Sequence, residues 1–415
     1  MNLPQDFVSY TSALFGPQRW EQFLHACEET APVSVRFNPF KCTDENLFAG
    51  QTPVPWCRHA YWLSERPHFT QDPLLHAGVY YVQEAGSMFL DHVLRQHVQG
   101  PVSALDLCAA PGGKSTLMRA ALPPSSFLVS NEIDRHRANI LLENMLKQGH
   151  PDVAVTHNTP REWAQTNLVF DVIVTDVPCS GEGLFRRETS AANEWSLQAV
   201  RGCQQRQREI LKDTWPCLRA GGILIYSTCT FNTLENEENV RWICETLGAE
   251  LVPVSATNAW HITGSLLAGF DGPVYRFIPG ITPSEGFFLA VLRKTSPGPE
   301  IATRPASMRA HVRVERRLHV LSDGVPVPEL KGKEQIPSAA QALSVATPPG
   351  AYPSAELSLE QARRYLHRES LVLPAAAPRG FVRVNYQGHA LGFVKNVGDR
   401  ANNLYPKNWA IKQQA

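Results

Sequence analysis

What this 415-residue chain lacks sets the first limits on it. No run of ~18 consecutive apolar residues occurs, so no membrane span is expected. Residues 1–15 carry no basic segment followed by an apolar run and a small-residue cleavage site, so no signal peptide is expected either. Excess charge is also missing, since 39 lysines and arginines face 39 acids. A polyanionic partner must then be held by local patches and not by the field of the whole protein. The nine cysteines, at 27, 42, 57, 108, 179, 203, 217, 229 and 244, are odd in number and never form a C-x-x-C pair. A disulfide framework and a bound metal are therefore not expected, and a reducing cytoplasm is. No repeat of about 20 to 50 residues is present, which excludes solenoids and propellers.

The 43% hydrophobic and 19% charged composition is that of a soluble globular protein. At this length, two or three domains are expected. Residues 104–116, Ala-Leu-Asp-Leu-Cys-Ala-Ala-Pro-Gly-Gly-Lys-Ser-Thr, organise the rest. An apolar run over 102–108 reads as a buried strand, Pro111-Gly112-Gly113 as a tight turn, and 115–121 as a helix start. Glycines there let backbone N–H groups approach a ligand at the carboxyl end of the strand. A P-loop is excluded, because its first glycine would stand where Cys108 is. The next strand, 127–131, delivers Glu132 24 residues after Cys108, where an acid commonly accepts from a ribose diol. The alternative, an exposed acid capping the helix predicted from about Asp134 to Gly149, explains strand, glycine turn and acid together less well than a nucleoside-bearing cofactor does.

Residues 1–95 read as a small α+β unit, with helical spacing over 7–15 and 20–27 and strand alternation over 33–37. The sequence fits an accessory substrate-binding role and a packing role equally. The stretch 80–90 is expected to enter the central sheet through an amphipathic helix, with Gln83, Glu84 and Ser87 facing a site or capping the helix. Over 96–295 strands alternate with helices, predicting a parallel sheet covered on both faces. Residues 296–310, rich in proline and small polar residues, read as a linker. Residues 311–415 read as a small β-rich domain. Its last 37 residues hold six lysines or arginines against one aspartate, interleaved with Phe381, Tyr386, Phe393, Tyr405 and Trp409. Basic charge pairs with phosphate and exposed aromatics stack on bases, so nucleic acid is a candidate partner.

Two further strands end in cysteine-bearing loops, Asp176-Val-Pro-Cys179-Ser-Gly-Glu-Gly183 and Ser227-Thr-Cys229-Thr230. Loops after different strands of a doubly wound sheet open on one edge, so Asp176, Cys179, Cys229 and the glycine turn are expected to line one crevice. Cys203, Cys217 and Cys244 lie on predicted helix faces and read as small buried hydrophobes.

In this order and spacing, residues 106–114 with Asn131-Glu132, residues 176–187 and Tyr226-Ser-Thr-Cys229 resemble the Nop/Sun-type RNA (cytosine-5) methyltransferases, most of all their bacterial ribosomal branch. Residues 80–84, 391–398 and 402–406 are similar to that branch as well. The resemblance implies an α/β fold: a class I methyltransferase Rossmann-like seven-stranded sheet, an N-terminal RNA-binding extension and a β-rich PUA-like C-terminal RNA-binding domain. It implies S-adenosyl-L-methionine as cofactor, surrounded by Cys108, Ala109, Ala110, Pro111, Gly112, Gly113, Lys114, Glu132, Asn158 and Asp176. Asn158 departs from the aspartate usual there. It also implies Cys229 as the nucleophile on C6 of cytosine, Cys179 as the residue that assists product release, and Asp176 with Lys114 at the base. Ribosomal RNA is the expected partner, with transfer RNA or a catalytically idle ribosome-assembly role as the alternatives. An amino-methyltransferase is excluded by Val177 and Cys179, where its loop carries proline and an aromatic residue.

Overall fold

The computed structural model describes residues 3–42, 45–332 and 334–412. Helix Gln5–Glu28 comes first and bends at Gly16, whose φ of 73° is open to glycine and strained for other residues. The periodicities at 7–15 and 20–27 thus belong to one bent helix. It buries Phe7, Phe15 and Phe23 against Phe185, Trp195 and Phe231, which lie on loops and turns far along the chain. Strands β1 (Val33–Phe37), β2 (Thr52–Pro53), β3 (Ala60–Leu63) and β4 (Tyr80–Val82) form an antiparallel sheet in the order β2-β3-β1-β4. All five residues of β1 are buried. Its alternation therefore separates an apolar core face from a polar face, and that polar face is also covered. The stretch 80–90 is not one helix: β4 is followed by a turn and then by helix Phe89–His97.

The central sheet consists of β5 (Ser103–Asp106), β6 (Phe127–Asn131), β7 (Val153–Thr156), β8 (Phe170–Asp176), β9 (Leu218–Thr228), β10 (Ala249–Leu251), β11 (Tyr275–Phe277), β12 (Phe287–Lys294) and β13 (Val320–Ser322). Its order is β10-β12-β9-β8-β5-β6-β7-β13, with β11 beside β12. Strands β5 to β9 are parallel, and β12 runs antiparallel to β9. The seven expected strands are present as β10-β12-β9-β8-β5-β6-β7, and β11 and β13 extend the sheet to nine strands among the described residues. The chain leaves β5 toward β6 and β7, then returns to β8 on the other side of β5. That reversal opens a crevice at the carboxyl end of β5, beside the glycine turn. Helix Arg135–Gln148, which follows β6, starts where Asp134 accepts from the Arg137 N–H and stops at left-handed Gly149.

The stretch 296–310 is not a free linker. Thr303 N donates to Val169 O at 2.8 Å, and Ser103 Oγ donates to Thr303 O. Helix Pro305–Val314 follows and buries Met308 and Val312 in the sheet's core. Arg309 donates to Pro151 O and Asp152, and β13 pairs antiparallel with β7. Proline and small residues there shape a tight packed crossing, which composition alone cannot tell from a linker.

The rest of the C-terminal region holds β14 (Glu329–Lys331) paired with β15 (Glu334–Ile336), and a sheet of β16 (Ser354–Glu356), β17 (Gly380–Tyr386), β18 (His389–Asn396) and β19 (Ala401–Asn403). It shares one core with the N-terminal sheet: Val35, Phe37 and Leu74 pack in the same cluster as Tyr365, Val382 and Tyr405. Of the interleaved aromatics, Phe393, Tyr405 and Trp409 are buried, which leaves Phe381 and Tyr386 half-buried. No helix among the described residues is long and apolar enough to cross a membrane.

Phe7 is fully buried, with its ring 5.1 Å from Phe185 and 5.5 Å from Trp195. Phe7→Ala is expected to cost about 3 to 5 kcal/mol through lost transfer energy and the cavity left behind. Urea denaturation of wild type and variant measures this, and a change under about 1 kcal/mol would show that the helix contributes little to holding these loops.

Candidate active site

The glycine turn is built from both flanking elements. Ala109 N donates to Asn131 O at 2.8 Å, which ties the loop after β5 to the end of β6. The Ala110–Pro111 bond is cis, and Gly112 has a φ of 116°. Helix Gly113–Ala121 begins there, and a Cβ on Gly113 would stand 3.2 Å from the Tyr81 ring. A side chain there would press on Tyr81, where the helix start, the turn and β4 converge.

A cavity of about 300 Å³ lies over this turn. Cys108, Ala109, Ala110, Pro111, Gly113, Lys114, Asp176 and Cys229 line it, so the structure brings most of the expected residues together. Lys114 Nζ donates to Asp176 at 2.8 Å, and Ser227 Oγ donates to the other oxygen of Asp176 at 2.9 Å. Burial acts to lower the Lys114 pKa, but the adjoining carboxylate outweighs it and holds the ammonium charged. Asp176 is thereby fixed at the cavity edge.

Cys179 Sγ lies 3.2 Å from Cys229 Sγ, although the two residues come from loops after different strands. Gly183 N donates to Cys229 O at 2.9 Å, and a Cβ on Gly183 would sit 2.8 Å from Gly286 O. A side chain at Gly183 would push the loops apart. The contact with the Cys229 thiol, together with burial, raises the Cys179 pKa well above the ordinary thiol value. Cys179 therefore favours its protonated form beside Cys229.

Beneath both thiols is a buried polar network that sequence reasoning missed. Glu182 accepts from the N–H groups of Phe231 and Asn232 and from Trp195 Nε1. Glu235 accepts from Ser180 N at 3.1 Å, Gln207 Nε2 at 2.6 Å and Asn232 Nδ2 at 2.8 Å. Burial pushes the Glu235 carboxyl up to about 7. Arg187, Leu184, Glu285 and Phe287 also line the cavity. Arg187 stood inside the quoted motif, but nothing in sequence spacing marked it as facing a site.

Three expected cofactor residues stand elsewhere. Gly112 shapes the turn without lining the cavity. Glu132 is 2% exposed at the back of the loop, accepting from Ala110 N at 3.3 Å and Asp134 N at 3.0 Å. The reading of Glu132 as an exposed acid is thus corrected. Asn158 is corrected too: its Nδ2 donates to Glu162 and to Arg317 O, and its Oδ1 accepts from His319 N. The segment that returns to pair as β13 has taken up both ends of the amide.

Residues 95–293 match the family described as 16S rRNA methyltransferase RsmB/F. Residues 3–85 match the N-terminal domain of 16S rRNA methyltransferase RsmF, and residues 352–411 match the methyltransferase RsmF PUA domain. The chain is 30% identical over 468 residues to ribosomal RNA small subunit methyltransferase F of Cronobacter sakazakii, spanning 98% of this chain and 96% of that protein. It is 33% identical to the protein of the same name from Pectobacterium atrosepticum, over 70% of this chain and 64% of that one. The fold is similar to that of NSun6 from Pyrococcus horikoshii, with a TM-score of 0.60 and 20% identity over 71% of this chain and 99% of that chain. A sheet reversing beside a glycine turn, two cysteine loops meeting at its edge and three matching domains in order lead to one assignment: the chain belongs to the RsmB/F family of 16S rRNA methyltransferases, within the Nop/Sun-type RNA (cytosine-5) methyltransferases.

Proposed function

We propose that this protein methylates C5 of a cytidine in small-subunit ribosomal RNA, in the cytoplasm, using S-adenosyl-L-methionine and a transient covalent bond from Cys229. The observation that carries the reading is the meeting of Cys179 and Cys229, at 3.2 Å, beside the Lys114–Asp176 pair. A catalytically idle assembly factor has no need of two thiols held in contact at a cavity.

The residues around the glycine turn suit the cofactor. Asp106 is fully buried, bonded to Ser115 through one oxygen and without a donor on the other, so it keeps acceptor capacity beside the loop. Burial raises its pKa to about 7. Glu132 holds Ala110 N from behind the loop over 108–114, which forms the cavity floor. When bound, S-adenosyl-L-methionine supplies an electrophilic methyl group.

The chain's own residues do the rest. C5 of cytosine is a poor nucleophile until a thiolate adds to C6 and makes C5 enamine-like. Cys229 lines the cavity and forms that bond to C6. Asp176, oriented by Lys114 and Ser227, hydrogen-bonds the base near N3, which makes C6 more electrophilic as Cys229 approaches. After the methyl group reaches C5, loss of the C5 proton restores the double bond and expels the Cys229 sulfur. Cys179, held largely protonated against Cys229, assists that release. The target base must leave any helix to enter the cavity.

The two thiols can be separated by experiment. Cys229→Ser is expected to abolish both methylation and any covalent adduct, since serine is a far weaker nucleophile near neutral pH. Cys179→Ser is expected to allow attack and stall release, so that a denaturation-resistant protein–RNA adduct accumulates. A denaturing gel of each variant with small-subunit ribosomal RNA and cofactor decides; an adduct with Cys229→Ser and none with Cys179→Ser reverses the roles.

For the cofactor, Glu132→Ala is expected to weaken S-adenosyl-L-methionine binding by roughly 10-fold to 100-fold, as a buried charged acceptor is lost. Isothermal titration calorimetry reads this directly. A dissociation constant within about 2-fold of wild type would remove Glu132 from the cofactor site.

A further inference from the structure

A second cavity, of about 250 Å³, lies beside β4. Arg36, Tyr80, Tyr81, Asn144, Lys147 and Gln148 are among its walls, and it shares Tyr81 and Val82 with the catalytic cavity.

Arg36 is unusual for a buried charge. It is 3% exposed, yet no carboxylate forms an ion pair with it among the described residues. Its Nε donates to Gln83, and its Nη2 donates to Thr116 Oγ1 at 2.8 Å and Gly113 O at 3.3 Å. Its Nη1 has no hydrogen-bond partner among the described residues. Asp91, a carboxylate whose charge acts on it, is committed to Arg95 at 2.9 Å. Glu143 is committed to Lys147, so it does not supply the missing anion either. An unpaired buried cation is costly unless a ligand completes its surroundings.

Gln148 supplies the complementary half. It is 4% exposed; its Nε2 donates to Thr116 O at 2.6 Å, and its Oε1 is buried without a donor. Arg36 and Gln148 thus converge on one residue, Thr116, and between them leave one free donor and one free acceptor. A phosphate would satisfy the guanidinium and leave Gln148 Oε1 unmatched. The edge of a nucleobase, with an acceptor beside a donor, satisfies both, and tyrosine rings in the wall suit an unstacked base.

We propose that this cavity holds the base of a nucleotide flanking the target cytidine, hydrogen-bonded by Arg36 Nη1 and Gln148 Oε1. The inference rests on RNA being the substrate. The position favours RNA over a free nucleotide, because the cavity is joined to the catalytic one through β4 and bordered by the C-terminal domain. Trp409 of that domain stacks beside Lys147, with Nζ 5.5 Å from its ring centroid.

The test uses full-length protein, small-subunit ribosomal RNA fragments and S-adenosyl-L-methionine. Arg36→Gln and Gln148→Glu are compared with wild type; the second variant places a carboxylate beside Arg36 and so fills the site's charge from within. Each is expected to raise KM for RNA about 10-fold, the scale of one charge-assisted base contact, while the dissociation constant for S-adenosyl-L-methionine stays within about 2-fold. An abasic substitution at one nucleotide next to the methylated cytidine is expected to weaken wild type about 10-fold and Arg36→Gln hardly at all. If RNA binding is unchanged in both variants, or only cofactor binding weakens, Arg36 is a structural staple and the proposal is overturned. If Arg36→Gln weakens RNA but no abasic position couples to it, the contact is to phosphate and the base site is overturned. Wild type that neither binds nor methylates the RNA overturns the functional reading itself, and this inference with it.

Discussion

The shared hydrogen-bond network of Glu182, Asn232 and Glu235 is the constraint on which the rest of the site depends. Two thiols on loops after different strands do not meet by default, because sheet geometry brings the loops only to the same edge. Here Asn232 Nδ2 donates to both carboxylates, and each carboxylate also holds backbone N–H groups of a cysteine loop. Buried acids without a cation are tolerable when several donors satisfy each one. Gly183 completes the arrangement, since the loops approach too closely there for any side chain.

The N-terminal domain contributes to the same site from two directions. Its first helix packs Phe7, Phe15 and Phe23 under Phe185 and Phe231, which belong to the segments that carry the two cysteines. Its first strand turns a polar face toward the glycine turn and the end of helix Arg135–Gln148. Asn38 Nδ2 donates to Gly78 O and Gln148 O, and Lys41 Nζ donates to Ala77 O and Lys147 O. Burial pushes the Lys41 ammonium down to about 7. Donors from the strand and the turn after it thus satisfy the last carbonyls of a helix, the groups a helix cannot satisfy itself. The domain is an extension in sequence and a wall of the site in space.

Much of this was legible in the sequence, and what was legible had local causes. Glycine and proline punctuation marked the turn over 111–113, Asp134 and Gly149 bracketed one helix, and runs of apolar residues marked β5 to β9. Cys179 and Cys229 stood out because each followed a strand in a turn that exposes sulfur. The misses share a different cause. The alternation in β1 predicted a strand, but not that Ser34 bonds Gln83 or that Arg36 reaches Gly113 and Thr116 of the next domain. Nothing in the sequence singled out Glu182 or Glu235, and only the fold shows donors converging on them.

Residues 303–322 carry the same lesson furthest. Read by composition, residues 296–310 are a linker and residues 311–322 open the C-terminal domain. In space they are the last part of the sheet unit: a helix sealing Met308 and Val312 against it, and an edge strand pairing with β7. This return also accounts for Asn158. An aspartate at that position would meet Arg317 O with a second acceptor, and two acceptors facing each other in a buried site leave both unsatisfied. An amide resolves the conflict, donating to Arg317 O and Glu162 and accepting from His319 N. The departure from the family's residue is therefore matched to the chain that crosses it, and any adenine contact at this end of the site has to come from other groups.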